Sequence, residues 1–529
     1  MKRRDFFKQS LPAAVTIPAL INGLSVKAYT SNSPLMQALL GATTDTDKVF
    51  VIIQMNGGND GLNMVIPIEY YSQYNNARNN IAIPLNKVLT LNGNAKTGLH
   101  PSMTGLQTLY NEGKLSIVNA VGYPAPNFSH FRATDIWMSA SDSDQVLTSG
   151  WAGRYLGVEY PNYPNGYPNA QMPDPLAIQI GSLSSLTLQG PAVNMGMSIS
   201  DPSRFYDFID GVEDPVPDTP WGKELKYVRM IAKQTEQYSI TIRAAAARVP
   251  SQGTYPSGNY LADQLKIVAK LIKGGLKTRL YMVSIGGFDN HSNQVNLSDT
   301  TTGTHASLMA KLSNAIKAFM DDIKTMGVDD RVIGMTFSEF GRRIKSNSSF
   351  GTDHGAAAPL FVFGKNVRPG VVGNNPVIPG SVSVNDNIPF QYDFRSIYAS
   401  ILKQWFCVNA TDLQTIMLKN FQEIPLATNS ACGTTGLEEI IRGSGEELIV
   451  NYPNPFVEST SITFRTKGGH TLIQVIDPLG RVIRTLTDKQ YIQGTYTISF
   501  DSMGLPLGVY YARLQNGSLQ QVRAMLKTR

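Results

Sequence analysis

Half of the six histidines of this 529-residue chain fall in five short segments, four of which carry carboxylates and glycines. The segments are Asn56-Gly57-Gly58-Asn59-Asp60-Gly61, Pro126-Asn127-Phe128-Ser129-His130-Phe131, Gly286-Gly287-Phe288-Asp289-Asn290-His291, Ser338-Glu339-Phe340-Gly341-Arg342 and Gly351-Thr352-Asp353-His354-Gly355. Carboxylates and imidazoles gathered in one place repel one another unless a cation sits between them. Asp with His suits a divalent metal of the zinc, manganese or iron kind. Asp289 and His291 are separated by one residue, so an extended backbone turns both to the same side. Ser129 precedes a helix-like run from His130 to Ala140. There it serves either as an N-cap or as a nucleophile at a helix N-terminus that favours anions. Plainer roles stand beside the others as well. Asp60 suits a turn for backbone reasons alone, His130 suits capping or packing, and Glu339 suits a pair with Arg342 or Arg343. His100, His305 and His470 fall outside these segments and read as structural or solvent-facing.

The elements that must position these segments alternate between strand and helix. Val49–Ile53, Leu115–Val121, Arg279–Ile285, Val332–Phe337 and Leu360–Phe363 are apolar runs of the kind found in buried parallel strands. Leu261–Ile272 has helical apolar spacing and stops at Gly274-Gly275, and Ala306–Met326 is a longer helix of the same type. The expected fold is α/β, a mostly parallel sheet sandwiched by helices over residues 45–427. Open sheets of this kind bind ligands beyond the carboxyl ends of their strands, where the segments above fall. No phosphate-binding loop, dinucleotide fingerprint, H-E-x-x-H or G-x-S-x-G occurs, which argues against nucleotide hydrolysis, dinucleotide redox chemistry, zincin proteolysis and α/β-hydrolase esterase activity.

The two ends of the chain read as addresses. Residues 1–28 combine a basic start, a mildly apolar stretch and a small-x-small site at Val26-Lys27-Ala28. The pair Arg3-Arg4 followed by Asp-Phe-Phe-Lys resembles a twin-arginine signal, which implies passage through the twin-arginine translocase in a folded state. After a linker over 428–444, residues 445–529 hold short alternating strands separated by turns, the pattern of a small β-sandwich. Tyr452-Pro453-Asn454-Pro455-Phe456, Asp477-Pro478-Leu479-Gly480-Arg481, Gly508-Val509-Tyr510-Tyr511 and the basic tail Arg523, Lys527 and Arg529 resemble the C-terminal sorting domain of the type IX secretion system. The resemblance implies export, through the periplasm, to the surface or medium of a Bacteroidetes-type bacterium. Cys407 and Cys432 form either one disulfide or two buried thiols. The net charge of +6 arises from 46 basic and 40 acidic residues with no basic stripe, so no nucleic-acid partner is expected. No apolar run after the N-terminus is long enough for an integral membrane span.

Taken in order, the glycine-rich segments, together with Gly150-Trp151-Ala152-Gly153-Arg154, resemble the domain-of-unknown-function family 1501, whose members look like exported proteins with an alkaline-phosphatase/sulfatase-like core. By that resemblance Asp60, Asp289, His291, Asp353 and His354 take the places of metal ligands, Glu339 extends the set, and Ser129 is the nucleophile. His130 stands beside it, and Arg154 or Arg342 holds the oxygens of the transferred group. After His354 the only histidine is His470, in the sorting domain, so the superfamily's last ligand has no counterpart. A single metal, or a set that uses Glu339, is easier to accommodate than a two-metal site. The implied activity is metal-dependent hydrolysis of a phosphate or sulfate ester, on a small molecule or a glycan, with zinc, manganese or calcium as the metal. The alternatives are a non-catalytic surface protein that binds a glycan or an envelope partner, and a metal-free serine hydrolase.

Overall fold

The computed structural model describes residues 47–181, 184–200, 219–428, 432 and most of 449–528, omitting 453–455, 467, 478–479, 493 and 518. Of the first 46 residues it describes only 19–21 and 24–26, so most of the leader expected over 1–28 lies outside the described residues, as does most of the linker expected over 428–444. Two compact units result, one spanning Thr44–Asn429 and the other including Ser430–Arg529. Cys407 and Cys432 are both disulfide-bonded, which decides between the two readings of the cysteines.

The larger unit is built on a nine-stranded sheet. Its strands are β1 (Val49–Met55), β2 (Leu115–Gly122), β3 (Ala177–Ile180), β4 (Gly196–Ile199), β5 (Leu280–Ile285), β6 (Val332–Phe337), β7 (Ala358–Gly364), β8 (Gly370–Val372) and β9 (Tyr392–Asp393). They lie in the order β8-β2-β7-β6-β1-β5-β3-β4, and β9 also pairs with β2. β7 runs antiparallel to β6 and to β2, while the other pairings are parallel. The large apolar strands expected from the sequence all form. The short outer strands β3, β4, β8 and β9 carry too few residues to show a pattern of their own.

β1 shows why the run Val49-Phe50-Val51-Ile52-Ile53 is apolar throughout. Successive side chains of a strand point to opposite faces. Val49, Val51, Ile53 and Met55 enter one core, and Phe50 and Ile52 enter a second one on the other face. Helices α4 (Tyr260–Lys273) and α5 (Thr304–Thr325) cover the first face. Leu261, Leu265, Val268 and Ile272 of α4 are buried there, and Asn259 caps its start by accepting from the Ala262 N–H. Helices α2 (His130–Ser139), α3 (Trp151–Glu159) and α6 (Phe394–Phe406) cover the second. On that side the Trp151 and Tyr398 rings stack at 4.4 Å. A four-residue helix, α1 (Gly61–Met64), follows the β1 loop.

The smaller unit has two antiparallel sheets. One contains β10 (Ile449–Tyr452), β11 (Ser459–Thr466) and β14 (Gly494–Asp501). The other contains β12 (Gly469–Ile476), β13 (Val482–Tyr491), β15 (Gly508–Asn516) and β16 (Leu519–Lys527). The alternation seen in the sequence turns Ile462, Phe464, Ile473, Val475, Tyr510, Ala512 and Leu514 into one core. Among the described residues of the chain, no helix is long and apolar enough to cross a membrane.

Candidate metal centre

The loops after β1, β5 and β6 leave one edge of the sheet side by side, because these three strands are parallel neighbours. β2 ends at the same edge and leads through Phe128 and Ser129 into α2. β7 runs the other way, so the loop before it, rather than after it, brings Asp353 and His354 to this edge. The loops approach closely only because of glycine. Gly57 and Gly58 have φ of +120° and +70°. A Cβ on Gly57 would lie 2.4 Å from the Asp289 nitrogen, and one on Gly58 would lie 2.1 Å from the Phe340 ring.

Asp289 stands at the centre of the cluster. Its Oδ1 is 3.1 Å from Nε2 of His291 and 3.3 Å from Nε2 of His354. Its Oδ2 is 3.5 Å from Nε2 of His130. Nε2 of His291 and Nε2 of His354 lie 2.8 Å apart. The His130 and His354 rings meet edge to face at 4.5 Å, and both pack on Phe340. Donor atoms of His130, Asp289 and His354 all fall within 4.8 Å of one another. Burial works against the charge on Asp289, but the hydrogen bond and charge of Arg342, with His354 and His291, hold its carboxyl below the ordinary range. Burial likewise lowers His354 below the usual imidazole value, against the hydrogen bond that it makes to Phe128.

The other nitrogen of each ring is held from outside. Nδ1 of His130 is 2.9 Å from Oε1 of Glu339, which also accepts from the Gly57 N–H at 2.8 Å. Nδ1 of His291 is 3.3 Å from Oδ1 of Asp353, which Asn347 also approaches at 3.2 Å. Nδ1 of His354 is 2.8 Å from the Phe128 carbonyl. Glu339 and Asp353 thus meet the Nδ1 atoms of His130 and His291.

Arg342 is buried at 2% exposure and ties the loops together. It donates to Gly58 O at 2.5 Å, Thr352 O at 2.7 Å, Phe288 O at 3.1 Å and Asp289 Oδ1 at 2.8 Å. Its guanidinium is committed to the protein rather than turned to a substrate. Arg154 is committed likewise, elsewhere, donating to the carbonyls of Ile416, Ser149 and Ser139 at 2.7–2.8 Å. It braces the end of α2 from below. Ser129 is exposed at the N-cap of α2, and its hydroxyl makes no capping bond. Instead its N–H donates to Oδ1 of Asn127 at 2.8 Å.

Asp60 is placed apart from the cluster. It is 2% exposed, both of its oxygens accept from Nη1 of Arg78 at 2.8–2.9 Å, and Gln294 donates to Oδ2 at 2.6 Å. Burial alone would raise its carboxyl, but Arg78, His305 and these hydrogen bonds hold it below the ordinary value. Arg78 already supplies the positive charge that a metal would bring. It also donates to the carbonyls of Arg343 and Ile344, which tethers the start of the loop that carries Asp353 and His354. Neither Arg78 nor the Phe128 carbonyl has a signal in the sequence. Arg78 follows an unpatterned Tyr- and Asn-rich stretch, and a carbonyl is common to every residue.

No curated protein matches the sequence. Among solved structures, a sulfatase from a Pseudoalteromonas species is 12% identical, with 88% of this chain and 87% of that one covered and a TM-score of 0.31. A putative sulfatase from Bacteroides thetaiotaomicron is 8% identical over 90% and 85% of the two chains, with a TM-score of 0.26. The alkaline phosphatase of the Antarctic bacterium TAB5 is 9% identical over 60% and 91%, with a TM-score of 0.22. Scores of this size are partial likenesses. Residues 450–528 match the secretion system C-terminal sorting domain, which makes this a secreted or cell-surface protein that engages the secretion machinery. Residues 240–405, which carry Asp289, His291, Glu339, Asp353 and His354, match the protein of unknown function family DUF1501, so the chain joins a DUF1501 region to a sorting domain.

Proposed function

We propose that the protein is an exported, metal-dependent hydrolase of phosphate or sulfate esters. The observation that carries this reading is the convergence of three imidazole Nε2 atoms on the Asp289 carboxylate, with Ser129 immediately before one of the three rings. The donor set fits a divalent cation, which supplies Lewis-acid charge when bound. Ser129 is the attacking group. Its hydroxyl is exposed, is not spent on capping, and stands at the start of a ten-residue helix where an anionic group is stabilised. Arg342 and Arg154 do not hold the substrate oxygens, because carbonyls and Asp289 take their N–H groups. Arg342 instead keeps Asp289 in place. The Arg3-Arg4 start supports the twin-arginine route, which suits a site loaded with metal before export.

The test uses purified, metal-supplemented protein with an aryl phosphate and an aryl sulfate. Turnover of one ester, reduced on the order of a hundredfold or more in Ser129→Ala, supports the reading. Equal rates in the two proteins, or no turnover of either ester, overturn it.

A further inference from the structure

We infer that the larger unit carries a second ligand site, in the cavity beside Arg154, which takes an amphipathic monoanion: an apolar chain that ends in a carboxylate. This stands independently of the metal and the ester chemistry proposed above.

Five arginines are buried among the described residues. Four of them meet carboxylates. Arg78 meets Asp60 at 2.8 Å, Arg279 meets Glu159 at 3.7 Å, Arg342 meets Asp289 at 2.8 Å, and Arg395 meets Asp142 and Asp393 at 2.6 Å. Arg154, 6% exposed, has no carboxylate partner among the described residues, and burial alone acts on it, pushing it down to about 10. It therefore keeps its charge at neutral pH. Carbonyls at the ends of α2 and of α7 (Ala410–Met417) take its N–H groups, as do the carbonyl and hydroxyl of Ser149. Helix ends lend it partial negative charge, but none of these groups is a full anion. A buried cation without a counter-charge is costly, which is why buried charges are ordinarily paired.

Arg154 also lines a cavity of about 560 Å³, within the range of roughly 300–1,000 Å³ found for small-molecule sites. None of the described residues that line it belongs to the cluster around Asp289, and among them Arg154 alone is charged at neutral pH. The wall is otherwise largely apolar. Val158 and Tyr160 come from α3 and the turn after it, Pro191, Val193 and Met195 from the segment before β4, and Leu418 from the end of α7. Ser149 lines the cavity too, and its hydroxyl accepts from Arg154 while keeping its own proton to give. Such a wall buries an apolar chain. One fixed positive charge and one hydroxyl donor match a single carboxylate, and it is the charge of Arg154, rather than a fork of free N–H groups, that the ligand meets. A neutral apolar ligand would leave that charge unpaired, and a dianion would bring a second charge with no partner.

The test is calorimetric titration of the full chain with octanoate, octanol and octylamine. Octanoate is expected to bind one site, about 10–100-fold more tightly than octanol, with octylamine the weakest. Arg154→Gln, checked for folding by circular dichroism, is expected to bind octanoate no better than octanol. Gly157→Leu is a second variant that suits the fold. Gly157 lines the cavity, a Cβ there meets only Cδ of Pro191 at 3.9 Å, and leucine favours a helix over glycine. Its side chain fills the cavity, so octanoate and octanol are both expected to bind about tenfold or more weakly. Octanoate binding that is absent, no tighter than that of octanol, or unchanged in folded Arg154→Gln or in Gly157→Leu overturns the inference.

Discussion

Nε2 of His291 lies 2.8 Å from Nε2 of His354, and Oδ1 of Asp289 is within 3.3 Å of both. The rings come from segments 63 residues apart, on the loop after β5 and the loop before β7. Their meeting depends on the antiparallel course of β7. It sets two ring nitrogens and a carboxylate oxygen within 3.3 Å of one another.

A cation held by this cluster, as proposed, is expected to stabilise the fold, so its removal is expected to lower stability. A cation that binds only the folded state adds about 2.7 kcal/mol when free metal exceeds the dissociation constant a hundredfold. Thermal melts with zinc, and after chelation, are expected to differ by several degrees and to depend on metal concentration. Superimposable melts would contradict this.

The Asp60–Arg78 pair is buried, with side-chain exposures of 2% and 0%. Removing one partner leaves an unpaired charge in the core, so Arg78→Met and Asp60→Leu are each expected to cost about 3–5 kcal/mol. The double variant is expected to lose less than the sum of the two. Urea denaturation of the three proteins measures this, and strict additivity would show that the two charges act separately.

Acid weakens the same region. Burial, helped for His100 by its neighbour His305, pushes His100 down to about 3, and burial pushes His305 down to about 4, both from 6.5. As pH falls from 6.5 toward 4, the unfolded chain binds protons on these rings that the folded chain refuses, so stability falls. Asp60, held below its ordinary value, adds to the loss once the pH passes below the usual carboxylate range. Urea midpoints at pH 7, 5.5 and 4.5 are expected to decline. The decline is expected to be shallower in His305→Gln, whose amide can replace the 3.0 Å contact with Asn59. Equal slopes for the two proteins would assign the acid sensitivity to other groups.

Gly58→Ala places a methyl group 2.1 Å from the Phe340 ring at φ +70°. Strain and overpacking together are expected to cost about 1–3 kcal/mol, and Phe340 must move. His130 and His354 both pack on that ring, so metal affinity is expected to fall along with stability. Zinc titration and denaturation of one preparation check both effects. Unchanged affinity would show that Phe340 does not position the rings.

Much of this architecture was legible in the chain itself. The unbroken apolar run of β1, helical spacing in α4 and the alternating strands of the C-terminal unit are local patterns, and hydrophobic burial writes them directly into residue order. So is the gathering of Asp289, His291, Asp353 and His354 in glycine-rich segments at strand ends. Which acids face the cluster was decided by the tertiary structure. Asp60 and Asp289 look alike in sequence, each in a glycine-rich segment after an apolar strand. Arg78, 18 residues beyond Asp60, neutralises it, while Asp289 is left among three imidazoles. Glu339 reaches across 209 residues to meet Nδ1 of His130. A ligand is defined by contacts of about 3 Å between side chains distant in sequence, and those distances depend on strand direction, loop approach and competing cations, none of which leaves a periodic trace in the chain.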